Sequence, residues 1–147
     1  MKTETDESLI AFAYENLANA IILQAVEDYE KAIACLCTRY MPEEYIYDAK
    51  KLKGSCDVFF RSKWYRTLTP IESRVITDRT KRLILNAPRM EYNEENKRFE
   101  CACGFPIPKN QRCNKRVPVY KCTKCGKFTR VWGELKNSTE LKEEGFL

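Results

Sequence analysis

The sequence predicts an α+β fold, in which an N-terminal helical bundle with a long central helix precedes a small C-terminal β module. Good helix formers fill residues 8–36 without a glycine or proline. Helix start and stop signals recur from there to about residue 84. Two short cysteine pairs then bracket strand-type residues that alternate in polarity. We therefore expect a helical domain over residues 1–84, a cysteine-rich domain over 85–133, and a tail over 134–147.

The first predicted helix is apolar over most of its circumference. Projection at 100° per residue places its polar side chains on one side. This polar stripe comprises Glu15, Asn16, Asn19, Glu27 and Glu30. The stripe is either the solvent-exposed side of a central bundle helix or a contact surface for a partner protein. Because a carboxylate and several amides within a membrane span would be costly, we expect a buried helix of a soluble protein.

Three shorter helices are predicted to follow. Pro42 opens the first, and Gly54 is expected to end it after about Lys53. Ser55 is the expected cap of the next helix, which is rich in aromatic residues and closes near Thr67.

The last helix of this group has a complete start signal. Thr69 is the expected N-cap, Pro70 the first helical residue, and Glu72 the partner that completes a capping box. We expect this helix to run to about Ile84.

Two segments of this region resemble a known family. Residues 15–29 read ENLANAIILQAVEDY, and residues 59–65 read FFRSKWY. Over roughly residues 9–82 the chain is similar to small proteins encoded by phages and integrative elements of Gram-positive bacteria. Zinc-bearing anti-CRISPR proteins of streptococcal elements are similar in size and kind. The resemblance implies an inhibitor of the type II RNA-guided nuclease, but it supplies no inhibitor motif that could be matched residue by residue.

The two cysteine pairs predict a zinc ribbon. Each pair is followed by a glycine, and the four expected ligands are Cys101, Cys103, Cys122 and Cys125. The first pair is Cys-x-Cys, which is tighter than the usual Cys-x-x-Cys, so Cys113 is an alternative ligand in place of Cys101. A closed site of four sulfurs is structural, because it leaves no open coordination position.

Histidine is absent from the sequence. Nitrogen ligation by histidine and Ser-His or Cys-His nucleophiles are therefore excluded. We expect a protein that is not an enzyme.

Three further cysteines stand in the helical part. Cys35 and Cys37 form a Cys-x-Cys pair, and Cys56 could be a third metal ligand. Because no glycine knuckle or fourth soft ligand accompanies them, we expect buried free thiols.

The charge is unevenly distributed. Residues 1–50 carry 4 basic and 10 acidic side chains, and residues 51–90 carry 10 basic and 3 acidic ones. A second basic cluster lies in the ribbon and is interleaved with aromatic residues. It comprises Lys115, Arg116, Lys121, Lys124, Lys127 and Arg130. This cluster supports an alternative function, a zinc-ribbon nucleic-acid-binding regulatory protein of a mobile element.

The remaining segments carry weaker signals. Residues 90–92 and 97–99 alternate like the arms of a hairpin whose turn is 93–96. The tail is expected to form a short helix from Ser138 or to be disordered. The polar, acidic start of the chain does not resemble a signal peptide. Together with the resemblance, this predicts a cytoplasmic protein of the bacterial host cell that binds a large host protein, the type II CRISPR effector nuclease.

Overall fold

The computed structural model describes residues 4–112 and 116–147, with side chains from residue 7 onward, and confirms the α+β fold class. The described residues contain six helices and four short strands. In chain order they are α1 (Glu4–Leu36), α2 (Glu43–Arg61), α3 (Lys63–Leu68), α4 (Ser73–Leu85), β1 (Glu91–Asn93), β2 (Arg98–Glu100), α5 (Lys109–Arg112), β3 (Val119–Lys121), β4 (Phe128–Arg130) and α6 (Ser138–Glu143).

Helix α1 has a buried half and an exposed half. Near its C-terminal end, Tyr29 and Ile33 are almost completely buried. Near its N-terminal end, Leu9 and Phe12 are each 61% exposed and Tyr14 is 70% exposed. The prediction of a helix buried along its length is therefore wrong for the first half. We call residues 7–20 the arm.

The arm is exposed because α2, which packs on α1 more extensively than α3 and α4 do, ends too early to cover it. Helix α2 runs antiparallel to α1, with the Cys35 thiol 3.6 Å from the Tyr45 carbonyl and the Cys56 thiol 3.6 Å from the Ala25 carbonyl. Continuing this register places the end of α2 near the level of Ala20. The turns of α1 before that level extend beyond α2.

By length and composition alone, α1 qualifies as a candidate membrane span. The 18-residue apolar stretch on which this rests is not buried inside the protein. The C-terminal part of the helix, however, lies in the protein core. The arm itself rises only about 21 Å at 1.5 Å per residue. A bilayer core is about 30 Å thick, so residues 7–20 alone are shorter than a membrane span.

Helix α2 continues through Gly54, which the sequence analysis expected to end it. The predicted cap Ser55 lies inside the same helix, and its hydroxyl donates to the Lys51 carbonyl. Burial of Cys56 and Phe60 in the core outweighs the conformational entropy that an interior glycine loses on folding. The actual break is at Ser62, whose hydroxyl accepts a hydrogen bond from the Tyr65 N–H and caps α3.

Helix α4 begins at Ser73, three residues after the predicted start at Pro70. The Thr69 hydroxyl does not cap the helix; it accepts a hydrogen bond from the Ile71 N–H. The buried Tyr65 hydroxyl donates to the Ile71 carbonyl and fixes the same turn. These two bonds hold residues 69–71 in a non-helical turn, so the predicted capping box does not form.

Helices and strands share one hydrophobic core. Edge-to-face contacts link Phe60 to Tyr29 and Tyr65, with ring centroids 5.8 and 5.6 Å apart. The cluster draws on helices α1 to α4, on β3 and β4, and on α6, and it includes Tyr29, Ile33, Phe60, Ile84, Val119, Phe128 and Leu141. The β module is therefore packed onto the helices through β3, β4 and α6.

Two antiparallel hairpins form the β module. Strand β1 pairs with β2 in the predicted hairpin, with Tyr92 opposite Phe99, and the turn lies at 94–97, one residue later than predicted. Strand β3 pairs with β4, with Tyr120 opposite Thr129. The hairpins are joined where the Met90 N–H donates to the Arg130 carbonyl.

The tail forms the helix α6, the first of its two predicted alternatives. The Asn137 side chain accepts a hydrogen bond from the Glu140 N–H and caps the helix, and Leu141 is buried. Ahead of α6, the Lys136 N–H donates to the Cys37 carbonyl and the Arg39 N–H donates to the Glu134 carbonyl. The tail thus pairs with the residues at the end of α1.

Candidate metal centre

Four cysteine sulfurs converge between the two hairpins. The Sγ atoms of Cys101, Cys103, Cys122 and Cys125 all lie within 4.8 Å of one another. Sγ–Sγ distances are 3.5 Å for Cys101–Cys125 and 3.7 Å for Cys103–Cys122. Tetrahedral ligation at a metal–sulfur distance of about 2.3 Å requires sulfurs about 3.8 Å apart. The predicted set is therefore brought together at a spacing that fits a metal ion.

Each cysteine pair sits on a turn that a glycine completes. The Gly104 N–H donates to the Cys101 carbonyl, and the Gly126 N–H donates to the Cys122 carbonyl, both at 2.8 Å. The two glycines have φ values of +88° and +73°, in the left-handed region that other residues rarely adopt. The tight Cys-x-Cys spacing therefore still forms a knuckle.

The sulfurs differ in burial and in proton affinity. Cys101 and Cys122 are buried, whereas Cys103 and Cys125 are exposed. Burial opposes ionisation of Cys122, but N–H groups of Cys125 and Lys124 and neighbouring thiols outweigh it and lower its pKa to about 7. At Cys125, a hydrogen bond from Lys127 is outweighed by desolvation and by the other thiols, which raise its pKa to about 11. The pKa of Cys122 thus lies nearer to neutral pH than that of an ordinary thiol, which favours the thiolate form that metal binding requires.

Cys113, the predicted substitute ligand, lies outside the described residues, and so does Lys115 of the basic cluster.

Cys35, Cys37 and Cys56 are buried thiols, as the sequence predicted. Desolvation is the largest cause of a raised pKa at each of them, to about 11, 12 and 11 respectively. They are protonated and unreactive at neutral pH.

The polar stripe is only partly available to a partner. Glu15, Asn16, Asn19 and Glu27 are exposed. Glu30 is only 7% exposed and forms an ion pair with Lys121, with a nitrogen–oxygen distance of 3.0 Å. Its assignment to a contact surface is therefore wrong. Projection along α1 could not show this, because Glu30 is covered by Lys121 of β3, which is distant in sequence.

The predicted basic cluster does not form one surface. Lys121 is paired with Glu30, and Arg116 is paired with Glu44 and Asp48. The Arg116 guanidinium also lies 4.3 Å from the centre of the Tyr45 ring. Of the cluster, these two side chains therefore bind the helices of the protein itself.

Arg130 is buried, which excludes it from a nucleic-acid surface. It is 5% exposed, and its Nη1 atom donates to the Thr38 hydroxyl at 3.1 Å. Its Nη2 atom has no hydrogen-bond partner among the described residues. Lys124 and Lys127 remain exposed beside the metal centre.

A different basic site emerged from the fold. Arg61, Arg66 and Arg74 line one open groove of about 670 Å³, whose other polar lining residues are Thr69, Ser73 and one acidic residue, Glu72. The sequence signal for it was the basic excess of residues 51–90. Sequence reasoning missed the groove because the arginines come from three different helices.

Comparison of the chain with protein-family models, with curated proteins and with solved structures found no match. The function is therefore argued from geometry.

Proposed function

We propose that the four cysteines hold a structural zinc ion and that the chain is a non-enzymatic binding protein. The tetrahedral sulfur spacing at the metal centre carries this proposal. Zinc suits four thiolates because it has no redox chemistry and accepts the tetrahedral geometry without strain. Four protein ligands would fill its coordination sphere, so no position is left for a substrate or an activated water.

The zinc would join two parts of the chain that are weak by themselves. Cys101 and Cys103 follow β2, whereas Cys122 and Cys125 lie between β3 and β4. Each hairpin has strands of three residues, too short for independent stability. Structural zinc contributes on the order of 10 kcal/mol to the folding of such small modules. Metal binding would therefore hold the hairpins in register.

As its partner we propose a large host defence protein, the type II CRISPR effector nuclease that the resemblance implies. The exposed arm supports a protein partner. Leu9 and Phe12 are each 61% exposed beside the polar residues Glu15, Asn16 and Asn19. Aromatic and aliphatic anchors next to polar groups are typical of protein-binding surfaces. The Glu15 carboxylate also suits the positively charged channel in which such a nuclease holds nucleic acid.

The test is cleavage of target DNA by the guide-loaded nuclease with zinc-loaded protein present. We expect inhibition that Glu15→Lys weakens and Glu143→Lys preserves. Both variants change charge equally at exposed positions, but Glu143 lies on α6, away from the arm. Unimpaired cleavage with wild-type protein would refute this partner. Metal analysis of the same sample tests the zinc proposal separately.

A second candidate function is nucleic-acid binding through the arginine-lined groove. Arg61, Arg66 and Arg74 form no ion pair within the described part of the chain, and the hydroxyls of Thr69 and Ser73 lie in the same groove. Arginine guanidinium groups and hydroxyls are common phosphate ligands. As the candidate nucleic-acid site, the groove replaces the basic cluster predicted in the ribbon, whose members the fold disperses.

Binding of labelled single-stranded DNA, measured across a salt series, tests this candidate. Arg74→Ala should weaken binding and reduce the salt slope by about one unit, because one phosphate contact is lost. Lys124→Ala, which removes an exposed charge outside the groove, should have no effect. Equal losses of DNA affinity for both variants would contradict binding through the groove.

A further inference from the structure

The arginine-lined groove gathers cations from the place where three helices meet. Arg61 is the last residue of α2, Arg66 lies in the last turn of α3, and Arg74 is the second residue of α4. All three side chains are exposed, and none forms an ion pair within the described part of the chain. Their guanidinium groups are therefore available to a ligand.

One carboxylate lies in the same groove. Glu72 is exposed, and among the described residues it forms no ion pair with any of the three arginines. Three arginines and one glutamate leave the groove with two net positive charges. A ligand that balances this site carries a charge close to −2, by the same count.

A phosphate monoester carries such a charge. At neutral pH a terminal phosphate has a charge of about −1.5 to −2, whereas each phosphodiester within a strand has about one negative charge. The monoester also presents three free oxygens, and the diester only two. Because an arginine can donate two parallel N–H groups to phosphate, three arginines match the monoester better than the diester.

We propose that the groove binds the phosphorylated end of a nucleic-acid strand, and not its interior. The inference rests on the second candidate function, nucleic-acid binding through the groove, and adds which part of the strand the groove holds. Hydrolysis of a phosphodiester bond leaves one new end that carries a phosphate monoester. The ligand class is therefore a product of nuclease cleavage.

The groove also has room for the nucleotide that bears the phosphate. Its volume of about 670 Å³ lies within the range of small-ligand sites, about 300–1,000 Å³. Pro70 and Ile71 line it beside the arginines, and Ile71 is 52% exposed. These apolar side chains can contact a base or sugar, while the hydroxyls of Thr69 and Ser73 are further hydrogen-bonding groups for phosphate and sugar.

Charge around the groove favours a nucleic-acid strand over a phosphorylated peptide. Residues 51–90, which contain the groove, carry 10 basic and 3 acidic side chains. A strand repeats its negative charge at every nucleotide, so the phosphates that follow the end also gain from this basic surface. A peptide with a single phosphate has no such repeat.

Fluorescence anisotropy of the zinc-loaded full chain with labelled single-stranded DNA provides the test. Two strands of one sequence, labelled internally, end either in phosphates or in hydroxyls. We expect the terminal phosphates to tighten binding by at least about tenfold, the factor that one additional hydrogen bond to a charged group confers.

A pair of arginine variants on α4 tests the location. Arg74→Ala should remove the preference for phosphorylated ends, so that the two strands bind alike. Arg79→Ala removes an equally exposed arginine of α4 that does not line the groove. It should keep the ratio of the two affinities. Unchanged zinc content and circular dichroism would show that both variants fold.

Competition distinguishes the source of the phosphate. Unlabelled phosphorylated strand should displace the labelled strand at a lower concentration than either inorganic phosphate or a phosphoserine peptide. A phosphoserine peptide that competes as well as the strand would overturn the assignment to nucleic acid.

Three further results would overturn the inference. Equal binding of the two strands would do so, but would leave the groove as a nucleic-acid site if Arg74→Ala still weakens both complexes. A preference for phosphorylated ends that survives Arg74→Ala would place the site outside the groove. Failure of either strand to bind would refute the second candidate function together with the inference.

Discussion

Glu30 and Lys121 bind each other across the boundary between helices and β module. The Lys121 Nζ atom lies 3.0 Å from the Glu30 carboxylate, whose side chain is only 9% exposed. The sequence placed Glu30 on a protein-contact stripe and Lys121 in a nucleic-acid cluster. The fold instead pairs them, and the pair ties β3 to α1.

Loss of one member of this pair should destabilise the protein. Lys121→Met leaves a nearly buried carboxylate without its cation, and we expect a loss of about 1–3 kcal/mol. Urea unfolding of wild type, both single variants and the double variant with Glu30→Gln measures the coupling. The double variant should lose less than the two single losses combined. Simple additivity would show that the pair contributes nothing.

Zinc binding should depend on Cys122 but not on Cys113. Cys122→Ser removes one of the four converging sulfurs, so we expect the variant to lose stoichiometric metal at submicromolar zinc. Cys113→Ser makes the same change between the two cysteine pairs and should retain one zinc per chain. Elemental analysis after gel filtration decides between the two ligand sets, because loss of zinc from Cys113→Ser would favour the alternative set.

Chelation should affect the two knuckles first. The turns at residues 101–104 and 122–126 depend directly on the metal centre, whereas β3 and β4 also pack into the shared core through Val119 and Phe128. Hydrogen exchange after chelation should therefore rise first in the knuckles and later in these strands. A simultaneous rise through the helices would mean that the metal supports the whole fold at once.

Gly54→Ala should stabilise the protein by about 0.5–1 kcal/mol, since glycine lies inside α2 and alanine loses less conformational entropy there. A Cβ atom at this position would meet no other atom within 4 Å. Gly145→Ala is the contrasting change, because Gly145 has φ +82° and alanine would be strained. In thermal unfolding, Gly54→Ala should raise the midpoint temperature and Gly145→Ala should lower it.

Alkaline pH should weaken the fold through the buried thiols. The pKa of Cys37 is raised from 9.0 to about 12 in the folded protein. Between these values the unfolded chain loses the thiol proton while the folded protein keeps it, so stability falls as pH rises. The contribution of one such group is about 1.4 kcal/mol per pH unit. Cys37→Ala should show a shallower decline from pH 9 to 11 in denaturant unfolding, and an unchanged slope would contradict this assignment.

Local sequence signals predicted the features that depend on neighbouring residues. The glycine after each cysteine pair, the turn-forming residues of the β1–β2 hairpin and the asparagine and serine that begin α6 are short-range signals. They identified the ribbon because the φ values and ligand spacing it needs are set within a few residues. The fold class followed from the same signals.

The errors have a common physical cause, because each feature was decided by a distant contact. Gly54 stays helical because Cys56 and Phe60 are buried in the core. Arg130 was assigned to the surface because arginine is mostly exposed, but it donates to Thr38 at the end of α1. The exposed arm was missed because its apolar composition reads like that of a core helix. Burial depends on where α2 ends, which no window along α1 can show.

The position of the tail constrains the order in which this protein folds. Leu141 belongs to the same core as Tyr29 and Ile33, and Lys136 bonds to the carbonyl of Cys37. Contacts between residues a hundred positions apart form slowly, because the intervening chain must first be closed into a loop. During synthesis α1 leaves the ribosome before α6 and cannot complete this core until α6 has emerged. The apolar surface of α1 therefore stays uncovered until α6 is available. The alanine-rich sequence of α1 has a high helix propensity, which favours helical structure before the core is complete.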